Sequence, residues 1–476
     1  MSSAAEAAAP AEAGGNLASL GLIQAFRMAS GVAVNVMVMR SLGVEGFGVY
    51  GYVTTLVGLA SFGSTMGMDR LLKREMARDP ESARRYVATG LAASTLLSVT
   101  TGVALLAWAW AVDGRPVVLL AAALAATALG LQSLAVVPNS YFHAIRRMRL
   151  GVRGNVAGRA LLVLATALFL WQQLGVLAVF AAQVLDAAVT LGIVWFIFRR
   201  QLGATALGTT GPEVRALIRA SLPFGLNALF GSIYLSVDVL LLAWMRGDEE
   251  VGIYRAAVML ISLFPILAET LTTGIYPRMS RHLGRSDLAG TELRFATRIL
   301  LGISVPAAVG GILTAAPLMV LLGGPEFAVS ALPFIVMAPL LPLRFLNNGY
   351  GMTLSALDRQ EDRTRGVFFA AALNVGVNLV VIPRYGALGA AATTLLTEVL
   401  LAAWMRWRIA PLVTGLGLGD TLVRVGIPSA AMAAAILLVP PAHVLLTIAL
   451  GVLVYGVCGR LSGAWHPSDL RRLRRV

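Results

Sequence analysis

About fourteen apolar runs, each long enough to cross a membrane, constrain this chain more than any other feature. A helix needs about 20 apolar residues to span the bilayer hydrocarbon. The chain is 58% hydrophobic and only 13% charged, too little charge for the surface of a soluble protein of this length. We predict an all-α, polytopic membrane protein with spans near 16–39, 44–67, 86–112, 116–138, 151–171, 175–198, 219–245, 250–276, 293–322, 328–357, 366–383, 386–408, 421–440 and 442–460.

The loops between these runs alternate in charge. Basic residues concentrate in 69–85, 146–159, 199–219, 278–298, 359–365 and the C-terminal RRLRRV, whereas each intervening loop holds about one arginine. The positive-inside rule therefore predicts that the basic loops and both termini are cytoplasmic. The net charge of +14 fits the anionic cytoplasmic leaflet better than nucleic acid. The amphipathic stretch DRLLKREMARDPESARRY is expected to lie along that membrane surface and bind anionic lipid.

The sequence of a short turn occurs twice in the chain. RSLGVEGFGVYGY (40–52) returns as RGDEEVGIYRA (246–256), which places Gly48 and Tyr50 on Gly252 and Tyr254 at an offset of 204. LGVLAVFAAQVLDAAV (174–189) likewise returns as YGALGAAATTLLTEVL (385–400), at an offset of 211. Repeats six spans apart predict two similar lobes.

The repeat and the charge pattern together predict the domain organisation. The N-terminal segment has no basic residue, so it is not expected to be a signal peptide. We predict a disordered tail at 1–15, an N-lobe at 16–200, a cytoplasmic linker at 201–218, a C-lobe at 219–410, two further spans within 421–460 and a basic tail at 461–476.

Polar residues inside apolar runs are the candidate functional residues, because a charge in the hydrocarbon region costs about 2.5–3.5 kcal/mol or more. Gln24, Arg27 and Asn35 share one helical face in the first run, as do Asn227 and Asp238 in the seventh. Such stripes form either a cavity wall or a hydrogen-bonded helix contact. The other candidates are Gln183, Asp186 and Thr190 in the sixth run, Arg255 and Glu269 in the eighth, Arg344, Asn347 and Asn348 in the tenth, Asn374 and Asn378 in the eleventh, and Glu398 in the twelfth.

Each charged candidate has a structural alternative. Arg255 could reach the headgroups with its long side chain, and Arg344 could form an ion pair with Glu269, Asp238 or Glu398. Glu269 is expected to lie too deep to reach solvent, so that it either pairs with an arginine or titrates. Three prolines just before Arg344, at 333, 339 and 342, predict a bent or interrupted helix there. A single cysteine and four scattered histidines form no metal-ligand or nucleophile–base pattern.

Four stretches carry a resemblance to a known family: RSLGVEGFGVYG, DVLLLAWMRGDEEVGIYRAA, LDRQEDRTRG and NVGVNLVVIPRYGALGAAATT. They resemble the polysaccharide flippases of the multidrug/oligosaccharidyl-lipid/polysaccharide (MOP) exporter superfamily, which also holds lipid II flippases and MATE drug exporters. The resemblance implies a fourteen-helix, two-lobed transporter of the bacterial inner membrane that works by alternating access and is not an enzyme. Its partners would be a lipid-linked oligosaccharide, anionic lipids, and the polysaccharide polymerase and glycosyltransferases.

On this hypothesis the cargo is an undecaprenyl-diphosphate-linked oligosaccharide. Guanidinium groups bind phosphate oxygens in a two-point geometry, so Arg27, Arg255 and Arg344, with Asn347 and Asn348, are expected to hold the diphosphate. Asp238, Glu269 and Glu398 would couple transport to H⁺ or Na⁺. Gln24, Asn35, Asn227, Asn374 and Asn378 would line the cavity, and no cofactor or metal is expected. The alternatives are a lipid II flippase and a MATE-like drug antiporter. A membrane-embedded polymerase or ligase is not expected, because no outside loop is long enough to carry its chemistry.

Overall fold

The computed structural model describes residues 2–79, 82–202, 208–415, 417–438 and 443–464; at 2–23, 202, 224, 226–231, 234 and 235 it describes the backbone alone. All secondary structure in this described part of the chain is helical. The predicted basic tail from 465 onward and residues 203–207 of the predicted linker lie outside it. The chain divides into two compact units, unit 1 (Met1–Leu240) and unit 2 (Leu241–Val476).

In unit 1, the residues that the structure describes form six helices and most of a seventh. They are α1 (Ser2–Thr65), α2 (Met68–Arg78), α3 (Ala83–Val112), α4 (Pro116–Ala144), α5 (Arg149–Trp171), α6 (Gly175–Leu202) and α7 (Gly211–Arg246). Helix α1 begins at Ser2, so the prediction of a disordered tail at 1–15 differs from the structure. The alanine-rich sequence of this segment has a high intrinsic preference for helix.

The described residues of unit 2 form the end of α7 and nine further α-helices. They are α8 (Asp248–Ile261), α9 (Pro265–Ser280), α10 (Ser286–Leu313), α11 (Ala315–Gly323), α12 (Ala331–Met337), α13 (Leu340–Ala356), α14 (Gln360–Ile409), α15 (Leu418–Leu438) and α16 (Val444–Leu461), with a 3₁₀ helix at Pro325–Ser330 before α12. The predicted interruption before Arg344 is confirmed, because the segments Pro325–Met337 and Leu340–Ala356 meet at a bend of 42°.

Ten helices of the described residues are long and apolar enough to cross a membrane, or eleven if the bent pair forms one span. Helices α1 and α14 are too long for a single crossing. Helix α14 has 50 residues, which corresponds to about 75 Å of helix, whereas the hydrocarbon region is about 30 Å thick. Both α1 and α14 contain one non-helical glycine, at Gly43 and Gly386. The exact count of fourteen spans stays a prediction.

The repeated turns have the same backbone geometry in both units. Gly43 (φ 66°, ψ −170°) interrupts α1, and Gly247 (φ 86°, ψ −173°) precedes α8. These glycines are also 204 residues apart, and their conformation is available to glycine almost alone. The second pair, Gly175 and Gly386, has positive φ as well. The sequence repeat therefore reflects two equivalent chain breaks in each unit.

The amphipathic helix α2 packs inside unit 1. Met68, Leu71, Leu72 and Met76 are buried in a core cluster that also contains Phe142 of α4. The apolar face of α2 is already covered by the neighbouring helices. The expectation that this stretch lies along the cytoplasmic membrane surface and binds anionic lipid therefore concerns its charged face, and it stays a prediction.

The start of α7 is fastened to α3. Glu213 accepts hydrogen bonds from the Thr210 backbone N–H (3.2 Å) and from the Arg85 guanidinium (Nε, 2.9 Å). The Thr210 bond, with the Arg85 bond after it, lowers the pKa of Glu213. Since Glu213 stays ionised, it also complements the positive N-terminal end of α7.

Candidate functional site

Two polar cavities of unit 1 meet at one ion pair. The first, here called the amide chamber, has a volume of about 310 Å³ and is lined by Asn35, Tyr50, Thr54, Gln132, Gln183, Gly31 and Gly58 among others. The second, the basic chamber, has a volume of about 360 Å³ and is lined by Arg27, Lys73, Asp69, His143, Asn139, Asn155 and Thr190 among others. Gln132, Arg159 and Asp186 line both chambers.

The ion pair at the junction joins α5 to α6. Arg159 Nη1 lies 3.6 Å from Asp186 Oδ2, and the Asp186 side chain is only 7% exposed. Asp186 also accepts a hydrogen bond from the Thr190 hydroxyl (3.3 Å). A Cβ at Gly158 would overlap both Asp186 and Thr190. The absence of a side chain at Gly158 therefore lets the two helices approach closely enough to form this junction.

The basic chamber contains three side-chain cations in different electrostatic situations. Lys73 Nζ lies 3.5 Å from Asp69 Oδ2, and Arg159 is paired with Asp186. Arg27 is exposed to the chamber and feels the charges of both Arg159 and Asp186. Among the described residues, no carboxylate lies within ion-pair distance of Arg27. Arg27 therefore contributes an unneutralised positive charge to this cavity.

In unit 2, the structure selects Glu398 from the three carboxylates predicted as alternatives for Arg344. Arg344 Nε donates to Glu398 Oε1 at 3.0 Å, and Asn347 Nδ2 donates to Glu398 Oε2 at 2.7 Å. The Glu398 side chain is 3% exposed and that of Arg344 is 21% exposed. This buried group links α13 to α14 directly after the bend.

Other predicted residues of unit 2 are dispersed. Asn378 Nδ2 donates to Asn374 Oδ1 at 3.1 Å, so these buried amides contact each other. Arg255 and Asn348 are half-buried. Glu269 is exposed on the surface of the protein, and its depth in the membrane stays a prediction. Helix α8 ends at Ile261 and a new helix starts at Pro265, which also interrupts the helical spacing predicted between Arg255 and Glu269.

The remaining predicted residues belong to unit 1. Arg27 and Asn35 each line a chamber, as do the stripe residues Gln183, Asp186 and Thr190. Gln24 is exposed, and Asp238 on α7 is 4% exposed. The side chain of Asn227 lies outside the described residues. In the part of the chain that the structure describes, no three His, Cys, Asp or Glu side chains cluster closely enough to hold a metal ion.

Comparisons with known proteins agree with this architecture. A family model described as "Polysaccharide biosynthesis protein" matches residues 14–283, more than half of the chain. The chain belongs to the polysaccharide biosynthesis protein family. A second model, MatE, matches residues 223–381.

Relatives of this chain include a protein named as a flippase and a protein named as a multidrug resistance protein. The probable low-salt glycan biosynthesis flippase Agl15 of Haloferax volcanii is 22% identical over 39% of this chain and 40% of its own length. The probable multidrug resistance protein NorM of Deinococcus radiodurans is 31% identical over 38% of this chain and 42% of its own. The matches thus span less than half the length of these curated relatives.

A solved structure shows that the fold is shared along nearly the whole chain. The lipid II flippase MurJ, in an inward closed conformation, superposes with a TM-score of 0.75 and covers 93% of this chain and 98% of its own. Its sequence is 12% identical, so the likeness concerns the fold alone.

Several residues that line the two chambers are not among the residues predicted from the sequence. The chief ones are Arg159 and Lys73. The predicted basic loop 146–159 and the predicted span 151–171 overlap at Arg159, whereas in the structure α5 begins at Arg149 and places Arg159 about 15 Å along the helix. Asn155 and Arg159 are spaced by four residues and so share a face. That spacing was the available signal. Lys73 lies on α2, whose packing against α4 could not be read from one sequence.

Proposed function

We propose that this protein is a flippase that moves a lipid-linked oligosaccharide, carried on undecaprenyl diphosphate, from the cytoplasmic to the periplasmic leaflet of the bacterial inner membrane. Alternating access of the chambers to the two sides accounts for the movement. The glycan-flippase name of one relative supports this proposal, as does the family to which the chain belongs.

The unneutralised charge of Arg27 is the observation that carries the proposal. Arg27 and Arg159 repel each other across the basic chamber. A diphosphate carries several negative oxygens and relieves this repulsion when it lies between the two guanidinium groups. A cationic drug would add to the repulsion. The electrostatics of the basic chamber therefore favour an anionic headgroup over the cargo of a cation exporter.

Arg344 and Asn347 of unit 2, which the sequence predicts as diphosphate ligands, do not form the primary diphosphate site in this proposal. Arg344 and Asn347 donate hydrogen bonds to Glu398 at 3.0 and 2.7 Å, a closer pairing than the 3.6 Å contact of Arg159 with Asp186. A diphosphate therefore competes with a carboxylate more strongly at Arg344 than at Arg159. We place the primary diphosphate site at Arg27 and Arg159. Asp238 and Glu398 remain our candidates for coupling to H⁺ or Na⁺, since both side chains are buried. Glycosyltransferases that build the cargo and a polymerase that extends it are the expected partners.

A complementation experiment tests the proposal. In a strain deleted for this protein, Arg27→Gln is expected to lower surface polysaccharide and to raise the pool of lipid-linked precursor. Loss of a charge-assisted hydrogen bond, about 1.5–3 kcal/mol, corresponds to a tenfold to roughly hundredfold loss of transport. Arg27→Lys keeps the charge but not the two-point geometry, and should lie between wild type and Arg27→Gln.

The matched control is Arg70→Gln. Arg70 is an exposed arginine of α2 that lines neither chamber, and its replacement should leave polysaccharide export unchanged. Normal export by Arg27→Gln would refute the diphosphate site. Efflux of ethidium by the wild type without any effect on lipid-linked precursor would instead identify a drug exporter.

A further inference from the structure

Two glycines of the amide chamber lack a packing reason. A Cβ at Gly31 or at Gly58, both on α1, would meet nothing within 4 Å. At Gly158, by contrast, a Cβ would overlap the neighbouring helix. Glycine inside a helix costs about 1 kcal/mol relative to alanine. Because no neighbouring atom requires glycine at 31 or 58, the space that these residues leave open inside the chamber is what they contribute.

The walls of that space suit sugar hydroxyl groups. Gln132 and Gln183 present amides, which both donate and accept hydrogen bonds. Asn35 donates its Nδ2 to the Gly31 carbonyl at 2.8 Å, so its carbonyl oxygen is left to accept. The charged residues of the chamber are Arg159 and Asp186, at the junction with the basic chamber. A volume of about 310 Å³ is at the small end of ligand sites, which span about 300–1,000 Å³.

The order of the two chambers matches the covalent order of the cargo. In a lipid-linked oligosaccharide the first sugar is bonded directly to the diphosphate. A site for the diphosphate at Arg27 and Arg159 therefore places the first sugar next to Arg159. The amide chamber begins there, since Arg159 lines both cavities.

We infer that the amide chamber is a sugar-binding subsite that holds the first sugar units of the glycan, and that Gly31 and Gly58 keep it open. This inference rests on the proposed function and adds to it the place where cargo is discriminated. The residues that recognise the sugar, through hydrogen bonds to its hydroxyl groups, are Gln132, Gln183 and Asn35.

Filling the chamber tests the inference. Gly31→Leu and Gly58→Leu place a side chain in open space, so both variants should unfold at or above the wild-type temperature. The control is Gly192→Leu, because Gly192 on α6 is exposed, has equal room for a Cβ and lines neither chamber. Two probes are compared on the full-length protein by native mass spectrometry: undecaprenyl diphosphate, and the lipid-linked oligosaccharide that accumulates in the deletion strain.

The wild type and Gly192→Leu should bind the glycan-bearing lipid about tenfold more tightly than undecaprenyl diphosphate. Gly31→Leu and Gly58→Leu should reduce this preference to about twofold or less while binding undecaprenyl diphosphate as before. If both variants keep the full preference, the sugar subsite is refuted and the flippase proposal stands. If they lose both probes equally, the glycines serve the diphosphate site and the inference is again wrong. If the wild type binds neither probe, the proposed function itself fails.

Discussion

The ion pair between Arg344 and Glu398 allows a stability prediction to be worked from its geometry. The Arg344 Nε and Glu398 Oε1 atoms are 3.0 Å apart, which at an effective dielectric constant of about 20 corresponds to an attraction of roughly 5 kcal/mol. Desolvation of both groups offsets much of this attraction. Removing one partner, however, leaves the other buried without compensation, at a cost of about 3–5 kcal/mol.

Glu398→Leu should therefore destabilise the protein by about 3–4 kcal/mol. The value lies at the lower end because Arg344 is 21% exposed and regains some hydration. The loss includes about 1 kcal/mol from the 2.7 Å hydrogen bond of Asn347, which keeps only its 3.3 Å bond to the Glu398 carbonyl. Arg344→Leu should cost more, about 4–5 kcal/mol, because the Glu398 carboxylate that it leaves behind is only 3% exposed. The double variant should cost less than either single variant, because apolar replacements of both partners can pack together.

The free energy of unfolding is measured by SDS titration in mixed micelles and analysed as a double-mutant cycle. The matched control is the pair Glu361 and Arg365, also on α14, which lie 2.6 Å apart with side chains 77% and 59% exposed. The same substitutions there should change stability by about 0.5 kcal/mol or less. If the losses at Arg344 and Glu398 are simply additive, the pair has no coupling energy and the reasoning is refuted.

Two further predictions concern the turns. Gly43→Ala and Gly247→Ala should each lower the unfolding free energy by about 1–3 kcal/mol, because both positions adopt a backbone conformation that alanine avoids; the same titration would refute this if either variant matched wild type. Asp113 accepts hydrogen bonds of 2.7 Å from both Arg115 Nε and Nη2, and the Arg115 hydrogen bond lowers the pKa of Asp113. The stabilisation is therefore present above the unfolded pKa of about 4 and is lost as the pH falls through the folded value. Asp113→Asn should flatten the dependence of the unfolding temperature on pH between about 5 and 2, and an unchanged slope would contradict the assignment.

The backbone of this protein was easier to predict than its side-chain partners. Turns and bends depend on local residue types. Gly43 and Gly247 lie at the predicted repeated turns, and the prolines at 339 and 342 lie where α12 gives way to α13. These features act within a few residues, so a single sequence is enough to locate them.

The pairing of charges depends on helix rotation and could not be predicted in the same way. Three carboxylates were candidates for Arg344, and the spacing along the chain gave no reason to prefer Glu398. The helical spacing predicted between Arg255 and Glu269 treats α8 and α9 as one helix, whereas the structure has two. Arg159 lies in both the basic loop 146–159 and the span predicted near 151–171, because arginines of a loop and of the following helix look alike in sequence. In each case the missing information was the relative position of two helices.

The two units share the repeated turns but differ in the segments that the turns connect. This difference supports the proposal that the cargo site lies in unit 1. Tyr254 and Thr394 of unit 2 are buried, with their hydroxyl oxygens 3.4 Å apart. Their equivalents at the repeat offsets of 204 and 211 are Tyr50 and Gln183, and both line the amide chamber. Equivalent positions thus form a contact in unit 2 and a cavity wall in unit 1. The charges of the two units also differ. Arg344 of unit 2 forms an ion pair with Glu398, whereas Arg27 of unit 1 has no ion-pair partner among the described residues. The proposal that unit 1 recognises an anionic, sugar-bearing cargo is consistent with this difference, because at these positions unit 1 offers a cavity wall and a cation where unit 2 has internal contacts.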